Sequence, residues 1–120
     1  MLIDTHAHLM ELQFDEDREA VIRRALDADV KKMINVGCTI KSSEQSAKMA
    51  LEYDFLWGTQ GLHPSDCGDF SEELMRKFYE VAKSNRKIVA IGETGLDYHY
   101  ENANPKKQQE SLRAQMRLAE

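Results

Sequence analysis

Apolar positions along the chain follow two alternating rhythms. Short runs rich in β-branched residues stand at Leu2-Ile3, Met33-Ile34-Asn35-Val36, Phe55-Leu56-Trp57 and Ile88-Val89-Ala90-Ile91, and each reads as a strand. Longer segments between them carry helical spacing. Asp15 to Ala28 opens on Asp15, Glu16 and Asp17, which suit the positive end of a helix, and puts Val21, Ile22, Ala25 and Leu26 on one face. A second helix is expected from Ser42, where Ser42 and Gln45 have capping-box spacing and Ala47, Ala50 and Leu51 form a stripe. Ser71 with Glu72 and Glu73 starts a third, carrying Leu74, Phe78, Val81 and Ala82. Pro105 suits the first turn of a fourth, ahead of Leu112, Met116 and Ala119.

Strand followed by helix, repeated along 120 residues, gives units of about 30 residues and predicts an α/β fold of parallel strands joined by right-handed crossovers. No Ser-, Gly- or Pro-rich linker divides residues 1–120, so one domain is expected. A closed (βα)8 TIM barrel needs about 250 residues, so these units amount to its N-terminal half. The helical pattern runs through Leu118-Ala119-Glu120 without a terminating Gly or Asn, and truncation before the remaining units is expected. A half-barrel would bare the inward faces of Ile3, Ile34, Leu56 and Val89. It is therefore expected to form a homo-oligomer or to pair with a missing C-terminal half.

Composition narrows the class. At 42% hydrophobic and 31% charged, the chain is neither disordered nor collagen-like. Nothing approaches a membrane span of about 18 apolar residues, and Met1 leads straight into Leu2-Ile3-Asp4, so a cytoplasmic protein without membrane partners is expected. Cys38 and Cys67 lack CxxC spacing and read as reduced thiols. A net charge of −5 argues against gripping nucleic acid by a basic face alone. A polyanionic substrate would need a local attractor such as a metal.

Polar residues gather just after the strands, the edge where parallel α/β sheets place their sites. His6 and His8 stand two apart in an extended segment, so both imidazoles can face one ion. Asp4 is placed to accept a hydrogen bond that fixes an imidazole tautomer. Glu93, between Gly92 and Gly95, adds an anionic ligand that can bridge two divalent ions or hold one beside an activated water. His63, between Leu62 and Pro64, can relay a proton or stabilise a phosphoryl oxygen. His99 lies further from its strand and reads as exposed or substrate-side.

Met-Leu-Ile-Asp-Thr-His-Ala-His at 1–8, Gly-Leu-His-Pro at 61–64 and Gly-Glu-Thr-Gly-Leu-Asp-Tyr at 92–98 together resemble the TatD family of metal-dependent deoxyribonucleases, in order and in separation. Gln108 through Ala119 resembles the helix that follows the fourth strand of that family. The resemblance implies a TIM barrel of the amidohydrolase-like group that uses one or two divalent cations (Mg, Mn or Zn) to hydrolyse DNA phosphodiesters, single-stranded or at 3′ ends. It implies that His6 and His8 are the first metal pair, Glu93 a bridging and catalytic carboxylate, and His63 a catalytic or substrate-binding pocket histidine. Two further histidine ligands and an aspartate of the family lie after later strands, beyond residue 120, so this chain alone is expected to be inactive. Two other readings are a small-molecule amidohydrolase and a noncatalytic half-barrel scaffold.

Overall fold

The computed structural model describes residues 1–120. Strands β1 (Leu2–Ala7), β2 (Val30–Asn35), β3 (Leu56–Gln60) and β4 (Ile88–Ile91) form one parallel sheet in the order β1-β2-β3-β4. Helices α1 (Arg18–Asp27), α2 (Ile40–Glu52) and α3 (Glu72–Ser84) make the crossovers, and α4 (Pro105–Ala119) follows β4. Every crossover steps to the next neighbour in the same direction. That is the arc of a (βα)8 barrel; a doubly wound sheet would reverse its strand order. No helix is long and apolar enough to cross a membrane.

The expected elements all form, with shifted ends. β1 runs on through His6, and β3 extends to Gln60. Helix α1 starts at Arg18, not at Asp15. The Arg18 guanidinium takes the Asp15 carboxylate and the Leu9 and Glu11 carbonyls, which holds the acidic segment as a turn before the helix. The capping box of α2 is Thr39 with Ser42, three residues earlier than the Ser42–Gln45 pair expected from spacing. Thr39 is extended and accepts from the Ser42 N–H, which leaves Ser42 inside the first turn. Ser71 caps α3 as its sequence suggests, and Asn104 caps α4 ahead of Pro105.

Apolar residues pack between sheet and helices in two clusters, Leu9, Met10, Ile22, Met33, Met49 and Leu56, and Leu62, Leu74, Met75, Phe78 and Ala114. Leu56 was expected on the inward face, but it is fully buried on the helix side. Side chains alternate along a strand, so Met33 and Leu56 put their neighbours Ile34 and Trp57 on the open face. There the Lys32 and Lys87 ammonium groups lie 5.3 and 4.4 Å from the Trp57 ring centroid. Ile3 and Val89 are each about half exposed.

Of the two expected apolar stripes only Ala50 is fully buried, and the buried faces are largely polar. Leu51 on α2 and Met116 on α4 point to solvent, while Ser42, Ser43, Ser46, Met49 and Ala50 are buried on α2, and Gln108, Ser111, Ala114 and Gln115 on α4. The cause is the strand ends, whose backbone groups leave the ladder and need partners. Ser46 Oγ donates to the Asn35 carbonyl (2.6 Å) and accepts from the Thr59 N–H (3.2 Å). Ser43 Oγ donates to the Gly61 carbonyl (3.0 Å) and accepts from its N–H (3.2 Å). A Leu stripe would fill the space and leave those groups bare.

Gly61 is required sterically. A Cβ there would lie 2.2 Å from the Gly92 carbonyl carbon and 2.7 Å from the Glu93 nitrogen, both backbone atoms that cannot swing aside. Gly61→Ala is expected to destabilise the fold by about 1–3 kcal/mol, the usual cost of overpacking, whereas Gly68→Ala, which meets nothing within 4 Å, serves as the control. Urea unfolding midpoints check both, and equal midpoints would show that the β3 and β4 ends can move apart without penalty.

Candidate metal centre at the strand ends

His6 lies near the C-terminal end of β1 and His8 just beyond it. Asp4 does not touch either imidazole. Its Oδ1 accepts the His6 backbone N–H (3.0 Å), because a carboxylate two residues upstream reaches the main chain more easily than the ring. The tautomer of His8 is held by another group: Nδ1 lies 2.9 Å from the Val36 carbonyl and must donate to it, so Nε2 carries a lone pair. That Nε2 faces His6 Nε2 at 3.1 Å.

Glu93 arrives from the turn after β4, which is tied to the two preceding strands. Gly92 N–H donates to the Gln60 carbonyl (2.9 Å) and Glu93 N–H to the Gly37 carbonyl (2.7 Å). The Thr59 hydroxyl accepts from Gly37 N–H and donates to the Gly92 carbonyl. So held, Glu93 Oε2 stands 3.3 Å from His6 Nε2 and 3.8 Å from His8 Nε2, and Oε1 stands 3.8 Å from His63 Nε2.

His63 is placed through its backbone. Its N–H donates to the Cys38 carbonyl (2.8 Å), and Leu62 before it is gripped on both sides by the fully buried Gln115, whose amide accepts from Leu62 N–H (2.9 Å) and donates to Leu62 C=O (3.0 Å). His63 Nδ1 accepts the Ser65 N–H (3.1 Å), so in the neutral ring the proton sits on Nε2 and points toward Glu93. His8 and His63 thus have opposite tautomers. One offers a lone pair, the other a proton.

Cys38 belongs to the same cluster and was not anticipated from sequence. Its thiol donates to Glu93 Oε2 at 3.3 Å and lies 3.8 Å from His8 Nδ1. Burial, aided by the Glu93 charge, pushes the thiol up to about 12, so it keeps its proton and acts as a donor. The one clue in the sequence is its place in Gly37-Cys38-Thr39, directly after β2, at a strand end like those that carry the histidines and Glu93. His99 stays outside: its N–H donates to Asp97 and its ring lies edge-on to Tyr100. Thr94 Oγ1, next to Glu93, is buried with no hydrogen-bond partner.

Donor atoms of His6, His8 and Glu93 all lie within 4.8 Å of one another. Ligands about 2.0–2.2 Å from a shared ion stand about 3.0–3.5 Å apart. The 3.1 and 3.3 Å separations fall in that range and the 3.8 Å one just outside it, so the donor set fits a divalent cation.

Nitrogen-15 NMR is expected to show His8 protonated on Nδ1 and His63 on Nε2 near neutral pH; the same tautomer in both rings would break the assignment of lone pair and proton. Gln115→Ala strips partners from two buried backbone groups at about 1–3 kcal/mol each. A loss of stability of about 2–6 kcal/mol is expected, with faster hydrogen exchange at the Leu62 amide.

The model of the family described as TatD related DNase matches residues 3–120. The uncharacterized metal-dependent hydrolase YabD of Bacillus subtilis strain 168 is 41% identical over 119 residues, which are 99% of this chain and 46% of that protein. The 3′-5′ ssDNA/RNA exonuclease TatD of Escherichia coli K12 is 33% identical over 118 residues, 98% of this chain and 45% of that protein. Among solved structures, YJJV, a TatD homologue from Escherichia coli K12, superposes with a TM-score of 0.89 at 31% identity, covering 98% of this chain and 46% of that one. An uncharacterized amidohydrolase from Saccharomyces cerevisiae superposes with a TM-score of 0.86 over 98% of this chain and 43% of its own, and at 18% identity it shows the fold alone. The chain spans about half the length of the curated relatives it matches. With all three crossovers and the histidines and glutamate of all three strand-end motifs inside the matched residues, the chain belongs to the TatD-related DNase family.

Proposed function

We propose that residues 1–120 are the N-terminal half-barrel domain of a divalent-metal-dependent nuclease that hydrolyses single-stranded nucleic acid from its 3′ end. The observation that carries this reading is the convergence of His6, His8 and His63 on the single carboxylate of Glu93. The relatives named as exonucleases support the substrate class. The half-exposed Ile3 and Val89 support pairing with a further half-barrel, either the rest of a longer parent or a second copy. The free thiols Cys38 and Cys67 fit a reducing cytoplasm.

His6, His8 and Glu93 are the residues that would hold the ion, their imidazoles favouring Zn2+ or Mn2+ over Mg2+. A cation bound there supplies Lewis acidity toward a phosphoryl oxygen and a water of lowered pKa. The rest falls to the chain itself. Glu93 brings negative charge to a pair of rings whose nitrogens otherwise have to share a proton. Cys38 donates to Oε2 and so limits rotation of the carboxylate. His63, with its proton on Nε2, is a hydrogen-bond donor to a phosphoryl oxygen and no ligand in this tautomer.

In a protein with a complete barrel, Glu93→Gln is expected to lose metal and to lower turnover at least a hundredfold, with the fold retained. His63→Ala should keep its metal and lose about 10²–10³ in kcat, the usual effect of removing a preorganised donor. Metal analysis and hydrolysis of a 3′-labelled single strand check both. Hydrolysis that survives exhaustive chelation would remove the metal from the reading, and loss of the ion in His63→Ala would put His63 among the ligands. The 120-residue chain alone, with ligands on one side of the ion only, should show negligible turnover.

A further inference from the structure

Downstream of His63, the 3-10 segment after β3 (Pro64–Asp69) faces the loop between β4 and α4. They leave a cleft of about 460 Å³ walled by Ser65, Asp97, Tyr100, Asn102, Asn104 and Lys107. We propose that this cleft seats one unstacked nucleotide of a single strand, the one next to the scissile linkage, with its base on the Tyr100 ring and its edge read by Asn102, Asn104 and Asp97. The proposal rests on the nuclease reading and deepens it by naming the substrate subsite.

Position is the first support. The cleft is lined by residues that follow the cluster's own residues in the chain, Pro64 and Ser65 directly after His63 and Asp97 four residues after Glu93, so the same two strand-end loops carry both. Chemistry is the second. Tyr100 lines the cleft and is 56% exposed, and every base has a π-face that can stack on an aromatic ring. Lys107 Nζ gives one hydrogen to the Gly68 carbonyl and keeps two. Asn104 Oδ1 caps α4, leaving its NH2 free, and Asp97 Oδ1 takes the His99 N–H, leaving Oδ2. The open groups therefore include both donors and an acceptor, as the edge of a base requires.

Rigidity and charge complete the case. Gln108 lies under the cleft, with both amide atoms committed to Asp97, accepting its N–H (2.8 Å) and donating to its C=O (2.7 Å), so the wall is preformed. One lysine and one aspartate make the lining close to neutral. That suits a base and a single backbone phosphate and does not suit a polyphosphate. The volume lies at the small-ligand end of the usual pocket range of about 300–1,000 Å³. A base can enter only when it is out of a duplex, which selects single strands.

Binding of fluorescent tetrathymidylate to the full chain, in chelator so that no hydrolysis interferes, tests the cleft. Tyr100→Ala is expected to weaken binding about tenfold, as loss of one stacked base does, while Tyr100→Phe keeps it and a blunt duplex binds at least tenfold more weakly than the single strand. Because Tyr100 is exposed, circular dichroism should show the fold unchanged. In a complete-barrel parent, Tyr100→Ala should raise KM about tenfold and hold kcat within twofold. Equal affinities for wild type and Tyr100→Ala, with metal-dependent hydrolysis intact, would overturn the cleft and leave the nuclease reading standing. Tyr100-dependent binding without hydrolysis in the parent would overturn the nuclease reading and keep the cleft. A complete-barrel parent that, unsubstituted, neither binds the single strand nor hydrolyses it would overturn both.

Discussion

The backbone of Gly92 and Glu93 lies against Gly61, so close that a Cβ at residue 61 would sit 2.3 Å from the Gly92 oxygen. Everything at the centre depends on this approach. It allows Gly92 N–H to reach Gln60, Glu93 N–H to reach Gly37, and the Thr59 hydroxyl to span Gly37 and Gly92. The ends of β2, β3 and β4 are joined at one point, and the Glu93 carboxylate comes to face histidines carried by β1 and by the turn after β3.

That junction has a cost, which the helices meet. Strand ends bent toward a site stop pairing with one another, and a buried backbone group without a partner costs about as much as a lost hydrogen bond. Ser43 and Ser46 on α2 supply small hydroxyls, and the bare Cα of Gly37 and Gly58 lets the helix come near enough for them to reach. On α4 the work passes to amides. Gln115 pairs with both backbone groups of Leu62, and Gln108 with both of Asp97, much as another strand would. Each glutamine fixes a loop that follows a strand end, so the outer helix controls geometry there through its polar residues as well as through Ala114, which packs with Leu62.

Electrostatics at the centre turn on one carboxylate. The chain carries a net −5, yet the groups that converge on Glu93 are neutral or positive: three imidazoles and a thiol that burial keeps protonated. His6 and His8 nitrogens 3.1 Å apart need either a shared proton or a cation between them. The adjacent Glu93 charge stabilises either one. His63, committed through Nδ1 to Ser65, stays on the donor side of the same carboxylate.

The strand-and-helix alternation, the parallel sheet and the strand-end location of His6, His8, His63 and Glu93 were legible in the residues, because β-branched runs, helical spacing and motif position are local properties. Burial on the helices was not. Leu51 and Met116 have the right spacing and still face solvent, since the neighbouring strand ends demand hydrogen-bond partners, a requirement set by residues far along the chain. Leu56 lies on the helix side, not the inward side, because the phase of alternation in β3 is set by pairing with Met33 and Ile34. Cys38 joins the centre for the same reason: its neighbours in space, His8 and Glu93, are 30 and 55 residues away. Residue types and local spacing were enough to name the chemistry that the site can hold. Which donor faces which acceptor, and which tautomer each histidine keeps, followed only from the carbonyls of Val36 and the amide of Ser65, partners that tertiary packing alone brings within reach.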